Sequence, residues 1–259
     1  MRIVTLVEDT AGRDGLGCEH GLSLYMETGE HRILFDMGQT ELFAENAEKL
    51  GIDLEAVDFA VVSHGHYDHG GGLEHFLRIN ATAPVYVARS AFGSRRNGAG
   101  KEIGLKLPTA ETHRLHFVDD FCQISPGIAL VTCEEQPLRV NVEAYGLTAE
   151  DGGRQVPDDF RHEQYLLVEE AGKRICISGC SHKGIRNIIH WLSPDILIGG
   201  FHLVKETDRE ILEQTARDLL ACSADFYTGH CTGTQQYAVL KSVMGSRLHN
   251  FCAGSEWHL

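Results

Sequence analysis

The sequence predicts an α/β (α+β) protein built as a four-layer αββα sandwich. Two observations carry this. Two β-rich stretches occur, and each is followed by helix–strand units, which fits two sheets face to face with helices outside. The turns between the early strands of each stretch, Thr28-Gly29 and Ala171-Gly172, read as hairpin connections.

In chain order, RIVTLVE (2–8) is rich in β-branched residues and reads as the first strand. LSLYME (22–27) and HRILFDMG (31–38) read as a hairpin. ELFAENAEKLG (41–51) carries apolar residues at helical spacing and stops at Gly51. DFAVVS (58–63) is a short apolar strand, GLEHFLRI (72–79) a helix and PVYVA (84–88) another strand. RLHFV (114–118), GIALVTC (127–133) and LRVNV (138–142) read as strands, and 143–160 as a long loop. EQYLLVEE (163–170) and KRICISG (173–179) form the second hairpin. Then follow a helix at 182–192, a strand at 194–200, a helix at 206–223, a strand at 224–229, a helix at 235–245 and a strand at 247–254. No Pro/Ser-rich linker and no short repeat divides the 259 residues. One domain over 1–259 is expected, with an insertion or irregular region around 93–160.

The formal net charge of -14 argues against broad contact with a phosphate backbone, so no nucleic-acid partner is expected. No segment holds the ~18 uninterrupted apolar residues of a membrane span, so no membrane partner is expected either. MRIVTLVEDT does not read as a secretory signal. The eight cysteines show no paired CxxC spacing. A cytoplasmic protein with reduced thiols is the expectation.

Residues 61–73, VVSHGHYDHGGGL, place His64, His66, Asp68 and His69 within six positions, directly after an apolar strand. In an extended loop, residues two apart project to one side, so His64 and His66 can share an ion. Asp68 and His69 lie a turn further on and can face a second. Imidazole with one carboxylate suits zinc, and also manganese or iron, as one or two ions. Gly70, Gly71 and Gly72 allow a sharp backbone turn beside the ions.

SHGHYDHGGGL resembles the HxHxDH signature of the metallo-β-lactamase superfamily. ILFDMG (33–38) resembles the family strand that ends in Asp-x-Gly, which implies that Asp36 supports the metal loop from behind. FYTGHCTG (226–233) resembles the strand that delivers the last histidine ligand, here His230. ICISGCSHKGI (175–185) stands where the family has Gly-Asp, so Cys180 replaces a bridging aspartate and can bind metal or point away. The third histidine of the first position is His182, with His162 as the alternative. Within the superfamily, HGHYDHGGGL, GCSHKGI, GGFHL and TGHCTG are similar to the branch of 7,8-dihydropterin-6-methyl-4-(β-D-ribofuranosyl)aminobenzene 5′-phosphate synthases of the methanopterin pathway. That branch implies metals organising a pyrophosphate leaving group while an aromatic carbon attacks a pterin methylene.

The expected function is a metal-dependent enzyme, a hydrolase of a small anionic ester or phosphorylated substrate. Bound ions lower the pKa of water towards about 7 and stabilise charge developing on a carbonyl or phosphoryl oxygen. Asp68 is the expected catalytic residue, orienting that hydroxide or taking its proton. His202, after the apolar strand at 194–200, and the basic residues Arg95 and Arg96 are the expected substrate contacts; His20 is a weaker candidate of the same kind. A pterin-condensing synthase and a metal-stabilised sensor of a small ligand are the alternatives. Diiron redox relatives typically carry Glu at the position of His66 and a flavin domain, and nuclease relatives commonly add a nucleic-acid-binding domain; neither pattern is seen here.

Overall fold

The computed structural model describes residues 1–259. β1 (Arg2–Val7), β2 (Ser23–Glu27), β3 (Arg32–Phe35), β4 (Phe59–Val62) and β5 (Val85–Ala88) form the body of one seven-stranded sheet. Glu256–His258 flanks β1 and Leu115–Val118 flanks β5. The second seven-stranded sheet runs Leu248–Asn250, Asp225–Thr228, Ile196–Ile198, Lys173–Ile177, Tyr165–Glu170, Ile128–Val131, Phe121–Ser125.

The layering follows from how each strand divides its side chains. In β4, Phe59 and Val61 face the layer shared with the other sheet, while Ala60 and Val62 pack towards the helices Leu42–Lys49 and Leu73–Ile79. A strand covered on both faces reads as an unbroken apolar run, which is why FAVV does not alternate. The layer between the sheets joins Ile33, Phe35 and Val61 to Leu166, Ile177 and Ile198. Beyond the second sheet, Ile185, Ile188, Ala216, Leu219 and Leu240 bring in the remaining three helices, Ile185–Leu192, Arg209–Leu220 and Thr234–Met244. These are the four expected layers. No helix is long and apolar enough to cross a membrane.

Topology then gathers strand ends. β3, β4 and β5 run parallel, as do Lys173–Ile177, Ile196–Ile198 and Asp225–Thr228. In open α/β sheets the carboxyl ends of parallel strands are where function collects. β3 is followed by Asp36, β4 by Ser63 and His64, and the three parallel strands of the second sheet lead within four residues to Cys180, His202 and His230.

Several expectations are corrected. LRVNV (138–142) is not a strand. Its β-branched pattern finds no neighbouring backbone; instead the N–H groups of Arg139 and Val140 both donate to Asn187 Oδ1 at 3.0 Å. The loop at 143–160 contains a hairpin, Thr148–Asp151 with Arg154–Pro157, which joins Arg95–Arg96 in a three-stranded sheet. Phe121–Ser125 and Glu256–His258 are strands that no sequence signal marked. The helix expected over 182–192 starts at Ile185, because Gly184 at φ 86° turns the chain and leaves His182 and Lys183 outside it.

Gly71 and Gly72 have ordinary helical φ values of -62° and -77°. Their need for glycine is space rather than dihedral freedom. A Cβ on Gly71 would collide with the carbonyls of Gln39 and Tyr67, and one on Gly72 with the Met37 carbonyl and the Phe43 ring. Gly71→Ala is therefore expected to destabilise the protein by about 1–3 kcal/mol, since backbone on both sides must shift. Urea unfolding checks this, and a variant as stable as the parent contradicts it.

Candidate metal centre

Asp36 is fully buried where β3 ends, at φ 58°. The left-handed conformation is uncommon for a residue other than glycine. It turns the carboxylate back under the histidine loop. There Oδ1 accepts the Ser63 N–H at 2.7 Å, and Oδ2 accepts the Ser63 hydroxyl at 2.7 Å. Oδ2 also lies 2.6 Å from His69 Nδ1.

These bonds fix the histidine tautomers. A carboxylate only accepts, so His69 Nδ1 carries a proton and leaves the Nε2 lone pair free. The Ser63 hydroxyl spends its proton on Asp36, so it accepts from His64 Nδ1 at 2.8 Å. His64 Nε2 is thus also a free lone pair. On the opposite side of the site, Asp9 Oδ1 lies 2.6 Å from His230 Nδ1 and takes that proton in the same way. The supporting group on the other ring nitrogen is what orients a ligating histidine.

The freed nitrogens converge in two places. His64 Nε2 is 3.2 Å from His182 Nε2, and His66 Nε2 and His182 Nδ1 are buried with no partner. His64, His66 and His182 present ligand atoms within 4.8 Å of one another. In the second place His69 Nε2 is 3.2 Å from His230 Nε2, with Asp68 Oδ2 at 3.8 Å from the first and 3.4 Å from the second. Cys180 Sγ lies 3.1 Å from His69 Nε2. Lone pairs aimed at one another across 3.2 Å repel unless a proton or cation stands between them, and orphaned buried nitrogens are costly. This donor set fits divalent metal.

His162 is buried, not a surface residue, yet both of its nitrogens are engaged. Nδ1 accepts the Gly65 N–H at 2.9 Å, which places the proton on Nε2, 3.2 Å from Asp158 Oδ2. It braces the loop and retains no free lone pair. The backbone N–H groups of His182 and Lys183 donate to buried Glu163 at 2.6 and 2.9 Å, and that carboxylate also accepts the Tyr165 hydroxyl.

Burial, and then the charge of neighbouring histidines, hold His64, His66 and His182 well below the ordinary imidazole range. They are neutral, as ligands must be. Without a cation, burial would push Asp68 up, but the hydrogen bond from His230 and the charges of His69 and His230 outweigh it and keep the group ionised. Against burial, Asp68 and Asp9 in turn raise His230 well above the imidazole range, so a bound cation takes the place of the proton on its Nε2. Burial, followed by the neighbouring Cys231 thiol, raises Cys180 well above the thiol range in the absence of a cation. A bound cation reverses that balance.

The basic stretch sits differently from expectation. Arg95 is buried beneath Gly65, with its terminal nitrogens on the Ala91 carbonyl at 2.8 Å and on the Ser90 carbonyl. Its Nε faces Asp158 at 3.5 Å. Arg96 is exposed, near Glu102 and bonded to the Gly100 carbonyl. The segment around them props the metal loop through Tyr67 N–H to Ile103 O and Leu105 N–H to Gly65 O. Arg95 has no free fork to offer a phosphate. His202 does reach the rim, with its ring centroid 4.2 Å from that of His182.

Sequence reasoning missed Asp9, Ser63 and Glu163. Asp9 follows the apolar run of β1, as Asp36 follows β3, and that parallel was the available signal. His20 bridges the two carboxylates, Nδ1 at 2.9 Å from Asp9 and Nε2 at 3.4 Å from Asp68.

The metallo-beta-lactamase superfamily profile matches residues 16–161. Two proteins of Methanocaldococcus jannaschii are similar along nearly the whole chain. The uncharacterized protein MJ0448 is 30% identical over 264 residues, spanning 97% of this chain and 96% of its own. The 7,8-dihydropterin-6-methyl-4-(beta-D-ribofuranosyl)-aminobenzene-5'-phosphate synthase is 31% identical over 267 residues, spanning 90% of this chain and 88% of its own. The crystal structure of Tm1679, a metal-dependent hydrolase of the beta-lactamase superfamily, matches with a TM-score of 0.87 at 28% identity, covering 100% of this chain and 99% of that one. A profile spanning more than half of the sequence, together with relatives alike from end to end, makes this chain a member of the metallo-β-lactamase superfamily.

Proposed function

We propose that the protein is a metal-dependent hydrolase of a small anionic ester or phosphorylated substrate, working at a two-ion centre. His64, His66 and His182 hold one position. Asp68, His69 and His230 hold the other, with Cys180 beside them in place of a bridging carboxylate. The observation that carries this reading is the set of Nδ1 bonds: Asp36, Ser63 and Asp9 take the Nδ1 protons of His69, His64 and His230, so that all three Nε2 atoms point inward, where a cation can take them as ligands. Imidazole, carboxylate and thiolate together favour zinc, with manganese or iron as alternatives. When bound, such ions supply Lewis acidity and acidify water at neutral pH.

The protein's own part is positioning and proton handling. Asp68 stays ionised at the mouth of the second position, where it can orient water and accept its proton. His20 and His230 hold that carboxylate from two sides. His202 stands at the rim next to His182, placed to touch the substrate.

A second reading is a condensing synthase on a dihydropterin, favoured by the 31% identity to the M. jannaschii synthase. One assay panel separates the two. Metal content is measured, and the loaded protein is offered phosphoesters, thioesters and lactones, then a dihydropterin with its aromatic co-substrate. Turnover of an ester supports hydrolysis, condensation alone supports the synthase, and absence of bound metal rejects both.

The choice of third histidine has its own test. His182→Ala is expected to lose one ion equivalent by elemental analysis, whereas His162→Ala keeps both and loses only stability. The reverse result would move the first position to His162.

A further inference from the structure

We propose that Cys180, Cys231 and His202 form a third, thiolate-rich cation position adjoining the histidine centre, suited to a soft ion such as zinc, cadmium or monovalent copper. Sγ of Cys180, Sγ of Cys231 and an imidazole nitrogen of His202 all lie within 4.8 Å of one another. Around one zinc ion with bonds of ~2.3 Å, tetrahedral donors sit about 3.8 Å apart, so this spacing suits a single ion.

Each donor is set there by local geometry. Cys231 follows His230 at the end of Asp225–Thr228, and its sulfur occupies the space a side chain on Gly200 would need. His202 follows Ile196–Ile198 at φ 50°, which turns its ring towards the same place. Its Nδ1 is buried without any hydrogen-bond partner. Cys180 follows Lys173–Ile177. Three adjacent parallel strand ends therefore supply the three donors.

A buried cysteine is ordinarily a small apolar residue. Cys176 fits that description, packed among Tyr165, Ile188 and Leu197. Cys180 and Cys231 differ in facing one another and an orphaned imidazole rather than aliphatic side chains. Beyond that cluster, Cys231 Sγ hydrogen-bonds the Cys180 carbonyl at 3.6 Å. His202 and His182 also line an open cavity of about 230 Å³, which gives an ion a route from solvent. A thiolate can bridge two ions. Cys180, 3.1 Å from His69 Nε2, can therefore serve the second position and this one together. Binding releases to solvent whatever protons the two sulfurs carry; no oxidant or reductant is needed.

The test uses the full-length protein, reduced and stripped with a chelator, then titrated with cobalt(II) and, separately, cadmium. The expected result is a third equivalent beyond the histidine centre. Its arrival strengthens the sulfur-to-cobalt charge-transfer band, and cadmium NMR shows one additional resonance shifted downfield by sulfur. In Cys231→Ser the third equivalent binds at least tenfold more weakly and the band loses intensity, while the first two equivalents stay. Saturation at two equivalents overturns the proposal and leaves the two-ion centre standing; failure to bind any ion removes both. A third equivalent that survives Cys231→Ser with an unchanged band also overturns it. The cadmium spectrum of the unsubstituted protein decides the matter should Cys231→Ser not fold: no additional downfield resonance sinks the idea.

Discussion

Asp36→Ala is expected to destabilise the protein by about 3–5 kcal/mol and to weaken metal binding by a further factor of about 10–100. The Asp36 carboxylate has no exposed surface and takes three protons' worth of hydrogen bonding, from Ser63 N–H, the Ser63 hydroxyl and His69 Nδ1. Alanine removes the acceptor and strands all three donors inside the protein, where each loses its partner without regaining water. The second effect is chemical. Without Asp36, His69 is free to move its proton to Nε2, and the Ser63 hydroxyl is free to give its own to His64 Nδ1. The Nε2 lone pairs then no longer point inward by default. Urea unfolding of the chelated protein measures the first effect, and a competition titration against a chromophoric chelator the second. A variant that loses stability but keeps its metal affinity would mean that the tautomers are set by something other than this carboxylate.

Asp68→Asn is expected to lower kcat by about 10²–10⁴ with a much smaller change in KM, the usual loss when a positioned acid or base is removed. The amide preserves the shape between His20 and His230, at 3.4 Å from each, but it cannot accept a proton. The comparison is made at matched metal content, so that lost ions are not mistaken for lost chemistry. Wild-type kcat in a fully loaded Asp68→Asn protein would take Asp68 out of the proton path.

Parts of this centre are legible in the sequence and parts are not, and the division has a physical cause. His64, His66, Asp68 and His69 stand together in the chain because one loop carries them, so their spacing alone shows what they can do. His182 and His230 are legible through their strand-end motifs. Asp9 escapes notice because its partner, His230, is 221 residues away and follows a strand of the other sheet, so only the packing of the two sheets face to face brings the loops after β1 and Asp225–Thr228 together. Ser63 reads as an ordinary strand-end residue until Asp36 is seen to take its proton. Arg95 misleads for the opposite reason. Its charge suggests a ligand for phosphate, but the fold spends the guanidinium on backbone carbonyls under the loop. The segment 138–142 has the residues of a strand and lacks a neighbour to pair with; Asn187 takes its N–H groups instead.

The two-ion reading is decided by crystals grown with zinc and, separately, manganese, with anomalous difference maps recorded on both sides of each metal edge. At the histidine centre two peaks are expected: one about 2.0–2.1 Å from nitrogens of His64, His66 and His182, the other at similar distance from Asp68, His69 and His230. A single peak beside His66, Asp158 and His162, or no peak with the histidine rings unmoved, would contradict it.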